Sequence, residues 1–573
     1  MTGARQAVSG WWWRNLGRCR WRIAAFALGL LCWTALAAAQ ETAAIASAHP
    51  LATAAGRDIL KRGGNAFDAA AAVAAALAVV EPYSSGLGGG GFWLLHRAAD
   101  GFQVMVDGRE TAPADAKLEH YLGPDGKPVR AATTQGGKAA AIPGTPAALV
   151  HVAERYGRLP LAATLAPAIA LAQAGFPVDQ RYARIARLRE RFLQAGVGTA
   201  AIFLDNQRAP LPGYRVRQPE LAMTLQSLAR EGAAGFYAGR VARALVEGVN
   251  AAGGVWRPAD LADYKVIERE PVRFEYRGAR ITSAALPSAG GIALAQSFGM
   301  LSRFRLDDVG GVETAHLVVE ALRRAFQDRA LHLGDADFAQ VPQQRLLDPR
   351  YLERRAAGID RSKAGGSDLP ADADPPRGES ANTTHFSVID ADGNRVAATL
   401  TINLLFGSGV VARGTGVLLN NEMDDFSLLD DVPNAFRLRG SAANAIAPGK
   451  RPLSSMTPTF VEDARGVLVL GTPGGSRIVS QVLLAVLAYV HSPRLDLAQI
   501  VGLPRYHHQF WPDRIEIEPG GFGDAWRAAL AARGHALRIA PRQWGNMQAV
   551  FKSRDTGLAQ AASDPRGADV AWY

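Results

Sequence analysis

The chain is 573 residues long, 48% hydrophobic and 20% charged, which is ample for a large folded core. Its formal net charge is +10, but Arg5, Arg14, Arg18, Arg20 and Arg22 fall in the first 39 residues with no acid among them, so half of that excess belongs to one end. The rest is diffuse, with no run of Lys and Arg interleaved with aromatics, and this argues against a nucleic-acid partner.

Residues 1–39 read as a signal peptide. Arg14, Arg18, Arg20 and Arg22 form a basic n-region, Ile23 to Ala38 is a short apolar run, and Ala35-Leu36-Ala37-Ala38-Ala39 offers small residues for cleavage. Retained, the same run would be an anchor, although it is short for a membrane span. Cys32 follows Leu31 rather than a small residue, which argues against a lipoprotein anchor there. Both cysteines, Cys19 and Cys32, lie in this leader, so the body has no disulfide, no thiol nucleophile and no thiolate metal site. The expected location is periplasmic or secreted.

Past the leader, Asn65 to Val80 is Ala-rich without a breaker and predicts a buried helix. Strand patterns at 92–96 and 102–106 follow, then helical patterns such as 160–174 and 221–231. The stretch 357–382 is rich in Gly, Pro, Asp and Ser, a composition that buries no core, and reads as a flexible linker. Directly after it, FSVIDADGNRVAATLTIN reads as a hairpin turning at Asp392-Gly393. A strand at 467–470 precedes a helix over 478–489. Mixed elements of this kind predict an α+β layered domain, and no internal repeat is visible.

The junction Asn382-Thr383 joins the linker to the first strand of that hairpin. A Thr placed there is where a chain can cut itself. Once freed, it carries both a hydroxyl nucleophile and an α-amine to act as base, a recognised pairing. Taken alone, the same Thr is an ordinary strand residue.

The surrounding motifs decide between these. They are HPLA (49–52), GGNAFDAA (63–70), EPYSSGLGGGGF (81–92), DGRETAP (107–113), IPGTPAA (142–148) and HLGDADF (332–338). TTHFSV (383–388), LLNNEMDDF (418–426), KRPLSSMTPT (450–459), GTPGGSR (471–477), PRYHHQ (504–509) and ASDPRG (562–567) complete the set. In this order, and across the whole chain after the leader, they resemble the gamma-glutamyltransferases (glutathione hydrolases), members of the N-terminal nucleophile hydrolases.

That resemblance implies a four-layer αββα sandwich formed jointly by two subunits cut from one precursor, a large one at 40–382 and a small one at 383–573. It implies Thr383 as nucleophile in both self-cleavage and catalysis, and Thr401 as the residue that orients it. It implies a γ-glutamyl substrate, glutathione or a related compound, with water or an amino acid or dipeptide as acceptor. No metal or other cofactor is implied.

The residue chemistry agrees with these roles. Gly474-Gly475 sits between the strand at 467–470 and the next helix, where backbone N–H groups can form an oxyanion hole. A γ-glutamyl group presents a zwitterionic end. Arg109 supplies a planar fork for its carboxylate, helped by Ser454 and Ser455, and Asn403, Glu422 and Asp425 supply acceptors for its ammonium. The stretch 428–452 resembles the family's lid, with Phe436 at the aromatic gate.

Other signals lead elsewhere. Gly86 to Gly91 satisfies G-x-G-x-x-G but follows a helix rather than a strand, the wrong setting for a dinucleotide fold. His507-His508 lacks metal-ligand spacing and reads as structural. LPSAGG (286–291) departs from the family's more Pro- and Ser-rich version. Two alternatives stay open on sequence. A cephalosporin (glutaryl) acylase of the same superfamily would not need the Glu422 and Asp425 acceptors, and an exported solute-binding protein would not need the Asn382-Thr383 junction.

Overall fold

The computed structural model describes residues 42–367, 383–429 and 432–567. The signal peptide, the part of the linker at 368–382 and therefore Asn382 lie outside the described residues.

Two six-stranded sheets carry the fold. The first is built from β1 (Ala44–Ser47), β2 (Gly90–Arg97), β3 (Phe102–Gly108), β4 (Ile267–Arg269), β7 (Thr384–Ile389) and β8 (Arg395–Thr401). The second contains β5 (Val272–Tyr276), β6 (Ala279–Ser283), β9 (Thr459–Glu462), β10 (Gly466–Gly471), β11 (Gln548–Ser553) and β12 (Ala559–Ser563). Their strand orders are β1-β7-β8-β2-β3-β4 and β12-β11-β10-β9-β6-β5, antiparallel throughout. Each sheet therefore interleaves strands from both sides of the linker, which fits two pieces of one domain rather than two domains.

The sheets pack face to face, β7 against β10 and β11, and helices cover both outer faces. On the first sheet lies α1 (Pro50–Lys61) with α2 (Ala66–Val80). On the second lie α3 (Gly290–Leu301) and α5 (Arg477–His491), and α4 (Val312–His332) packs on α3. This is the expected αββα sandwich. Among the described residues no helix is long and apolar enough to cross a membrane.

The predicted helix after Asn65 forms as α2, and all 15 of its residues are buried. Alanine makes that possible, because small side chains let a helix lie close to its neighbours on every face. Asn65 and Asp68 close its first turn as a capping box. Asp390, in the hairpin turn after β7, adds a carboxylate oxygen 2.9 Å from the Ala66 N–H.

Period-two alternation sets the chemistry of the first sheet. Phe386 and Val388 point into the apolar cluster beneath α2. Thr383, His385 and Ser387 alternate with them and so face the second sheet. The glycine run before β2 serves close approach rather than phosphate binding. Gly88 lies against the Leu418 backbone and Gly89 against the Thr401 carbonyl, so neither site has room for a Cβ.

Candidate active site

A narrow cavity opens at the head of β7. Thr383, Thr401, Asn403, Arg109, Glu422, Asp425, Ser454, Ser455 and Gly475 all line it, so residues 366 positions apart in sequence meet in one place. Gly474 is the one predicted site residue with described coordinates that does not line it.

Thr383 leads directly into β7 and is buried, with its hydroxyl oxygen 3.4 Å from that of Thr401 at the end of the paired strand β8. Thr401 Oγ1 also accepts the Asn403 N–H at 2.8 Å. Asn403 has φ 71°, a left-handed conformation that Asn tolerates, and its side chain donates to the Asn421 carbonyl at 2.8 Å. The strand end thus holds Thr401 against Thr383 and Asn403 against the acidic turn.

That turn, Glu422–Asp425, is fixed by the asparagines before it. Asn420 Nδ2 donates to the Gly88 and Ala141 carbonyls, each at 2.7 Å, and its Oδ1 receives the Glu422 N–H. Asn421 donates to the Thr134 carbonyl. Sequence reasoning treated the two asparagines only as motif letters; their role is to satisfy buried backbone from three segments at once.

Arg109 is fully buried. Its Nη1 lies 2.5 Å from Glu422 and its Nη2 2.6 Å from Asp425, while Nε donates to the Pro452 carbonyl. The carboxylate ligand and the ammonium ligands read from sequence as separate sets are here one ion-paired cluster. Burial works against the Arg109 charge, but Glu422, Glu110 and Asp425 outweigh it and raise its pKa. Burial pushes Glu422 well above the usual carboxylate range despite Arg109, and pushes the adjacent Glu110 up to about 7. Asp424 turns away from the cavity. It receives Thr133 Oγ1 and the Ala435 N–H, and burial raises it to about 6.

Ser454 and Ser455 are held by a loop whose role the sequence left open. In the 286–291 segment, the Pro287 carbonyl accepts the Ser454 N–H at 2.8 Å, and the Ala289 N–H donates to the Ser454 carbonyl. The segment that departs from the family's version, LPSAGG, therefore touches the site directly through its backbone.

The GTPGG segment turns from β10 into α5. Gly474 has φ 144° and Gly475 φ 58°, both favouring glycine, and a Cβ on Gly474 would meet Gln481. Gly475 faces the cavity at the N-terminal side of α5, where the helix dipole favours negative charge.

The lid stretch is pinned at several points. Asn434 donates to Asp425 at 3.1 Å and Asn444 to the Asp425 carbonyl at 2.7 Å. Phe436 lines the cavity, and its carbonyl accepts Gln509 Nε2 at 3.1 Å. Gln509 also receives the Ser476 hydroxyl at 2.5 Å, so one side chain joins the gate to the glycine turn.

His507 and His508 do not share a ligand position. His507 bonds Ser480 and Gln509, and His508 bonds Asp513. His316, Glu320 and His535 have ligand-type atoms within 4.8 Å of one another. Those atoms are already engaged: the two imidazoles bond each other at 2.7 Å, and Glu320 pairs with Arg323 and Arg324.

Residues 52–573 match the family model for gamma-glutamyltranspeptidase. The chain belongs to that family. A glutathione hydrolase proenzyme of Pseudomonas sp. (strain A14) is 40% identical over 537 residues, covering 92% of this chain and 93% of the relative. That of Escherichia coli (strain K12) is 39% identical over 529 residues, covering 92% and 90%. Among solved structures, the cephalosporin acylase of Bacillus halodurans superposes with a TM-score of 0.79 at 28% identity, covering 93% of this chain and 96% of that one. As a gamma-glutamyltranspeptidase family member, the chain has the family's αββα scaffold, and the proteins it is similar to include both glutathione hydrolases and a cephalosporin acylase.

Proposed function

We propose that this chain is a self-cleaving gamma-glutamyltransferase and glutathione hydrolase. The observation that carries this reading is the shared cavity, in which Thr383 lies together with a buried Arg109–Glu422–Asp425 cluster. A nucleophile beside matched charges of both signs suits a substrate that ends in an α-amino acid.

In maturation, Thr383 Oγ attacks the Asn382 carbonyl, the peptide C–N bond breaks as the acyl group moves to oxygen, and water hydrolyses the ester. The large subunit 40–382 and the small subunit 383–573 then form a heterodimer. The freed α-amine, with an ordinary pKa of about 7.7–8.0, is partly neutral at pH 7 and accepts the hydroxyl proton. Thr383 Oγ attacks the γ-carbonyl, the N–H groups at Gly474-Gly475 stabilise the oxyanion, and the amine leaves with a proton. Water or an amino acid or dipeptide then takes the γ-glutamyl group from the ester. Thr401 orients the hydroxyl, Arg109, Ser454 and Ser455 bind the α-carboxylate, and Asn403, Glu422 and Asp425 bind the α-ammonium. Export by the leader would place this activity in the periplasm or outside the cell.

The glutaryl-acylase alternative draws support from the structural likeness to a cephalosporin acylase. A glutaryl group brings no ammonium, however, and would leave Glu422 and Asp425 with only Arg109 between them. Intact mass and N-terminal sequencing test the reading. Two chains in the wild type, the smaller beginning Thr-Thr-His-Phe, with a single chain in Thr383→Ala, are expected. γ-Glutamyl-p-nitroanilide is expected to outpace glutaryl-p-nitroanilide. A single uncut chain in both proteins, or the reverse donor preference, overturns it.

A further inference from the structure

Three carboxylates crowd the Arg109 guanidinium, and the third of them, Glu110, has no part in the mechanism above. Glu110 follows Arg109 directly and is fully buried. Its Oε2 lies 3.5 Å from Arg109 Nη1, the nitrogen that Glu422 already occupies at 2.5 Å, while Asp425 takes Nη2 at 2.6 Å. Two carboxylates thus share one nitrogen. Neither Glu110 oxygen meets a donor in hydrogen-bond geometry, and Glu422 Oε2 meets none either. Glu110 has no room to swing away. Its carboxyl packs on Gly90 where a Cβ would stand, and Gly90 pairs with Thr401 across the sheet.

Ionising both Glu110 and Glu422 in that space is costly. A dry carboxylate without donors is strongly disfavoured, and like charges this close disfavour each other further. The other groups that bear on the pair do not relieve this. Asp425 adds a third negative charge, and Arg451, the other cation that reaches Glu110, is already paired with Asp107. Arg329, on α4, lines the cavity and bears on Asp425 and Arg109. Tyr237 and Tyr264, which also feel Glu110, stay neutral because burial raises both. Burial likewise raises both carboxyls, Glu110 to about 7, and a pair coupled this tightly gives up its protons as a unit. One proton held between them also supplies a donor among buried oxygens that otherwise only accept.

We infer that Glu110 is a positioning residue for donor binding: it shares one proton with Glu422 at neutral pH, and that proton leaves Arg109 enough positive charge to hold the donor's α-carboxylate. This rests on the proposed role of Arg109 and adds a pH dependence whose sign follows the charge of the donor. When the pair loses the proton, three ionised acids surround one guanidinium. A carboxylate arriving at Arg109 then meets excess negative charge. An ammonium arriving at Glu422 and Asp425 meets more of the charge it needs.

The test uses matured protein between about pH 6 and pH 8.5 with two p-nitroanilide donors of opposite charge. Glutaryl has the carboxylate without the amine, and 4-aminobutyryl has the amine without the carboxylate. KM is read rather than kcat, because the α-amine base titrates in the same range and KM approaches Kd for slow donors. In the wild type, KM for the glutaryl donor is expected to rise about tenfold over this range, and KM for the 4-aminobutyryl donor to fall about threefold. Glu110→Gln, permanently neutral, should bring both slopes below about twofold, and Glu110→Asp, still an acid, should keep their opposite signs. A purely structural role would move both donors alike. Wild-type slopes that are flat or of one sign overturn the assignment whether or not the variants fold, and so do opposite slopes that survive Glu110→Gln. Turnover of glutaryl but not γ-glutamyl donors overturns the proposed function and leaves the two slopes to judge Glu110. Turnover of γ-glutamyl donors with flat slopes overturns Glu110 alone.

Discussion

The imidazole of His385 packs directly on Gly471, closing off the space where a Cβ would stand. One residue belongs to the strand that begins at Thr383 and the other ends the strand that leads to Gly474-Gly475. Their contact therefore lies between the strand headed by the proposed nucleophile and the turn proposed as the oxyanion hole. The ring is not free to retreat, since Nδ1 bonds Thr399 at 2.8 Å and Nε2 bonds Ser387 at 3.1 Å. Burial lowers its pKa to about 3, so it is a neutral spacer at working pH.

Gly471→Ala is therefore expected to cost about 1–3 kcal/mol of stability by overpacking, and to lower kcat more than it raises KM. Pairing it with His385→Ala should recover part of the lost Tm, because the clash is removed. Additive losses in that double-mutant cycle would show that the two residues do not press on each other.

Glu110 gives a pH dependence with a definite sign. Its folded pKa of about 7 lies above the ordinary 4.5, so the folded state binds the proton more tightly. The stability this brings is fully present below about pH 4.5 and is lost as pH rises towards 7. Glu110→Gln, permanently neutral, should match the wild type at pH 4.5 and exceed it above pH 7 by roughly a few kcal/mol. Thermal melts at pH 4.5, 6 and 8 would check this, and a gap that stays constant with pH would exclude it.

Asp390 binds the N-terminus of α2 from the far side of the proposed cut. Besides Ala66, it receives the Asn394 N–H at 2.9 Å and the Asn394 side chain at 2.8 Å. Asp390→Ala should lower stability by about 1–2 kcal/mol through the lost cap, read from the urea midpoint of the matured protein. An unchanged midpoint would mean water replaces the carboxylate at no cost.

Phe436 tests the gate. A para-hydroxyl on this ring, which lines the same cavity as Asn403, would add a hydrogen-bond donor there and steady the lid against water entry. Phe436→Tyr is expected to shift the partition of the acyl-enzyme towards transfer, measured as p-nitroaniline release with and without glycylglycine. An unchanged ratio of hydrolysis to transfer would count against the gate.

Much of this molecule was legible in its sequence because the signals are local. The Ala run fixes α2, the Asp392-Gly393 turn with its flanking β-branched residues fixes the hairpin, and motif spacing marks the cavity residues. Residue type also gave the charges of the site, an arginine and two acids suited to a zwitterion.

Only tertiary structure decided how those charges meet. Sequence spacing holds no information on whether Arg109 faces Glu422 across an ion pair or stands apart from it, because they lie 313 positions apart and are joined by sheet pairing and the Asn420-Asn421 hub. The same limit hid Gln509 as the tie between Phe436 and Ser476, and the Pro287–Ser454 backbone bond. It hid the burial of Arg329 too: a helical arginine reads as a solvated face by pattern alone, and its burial is a property of the surrounding volume rather than of the chain.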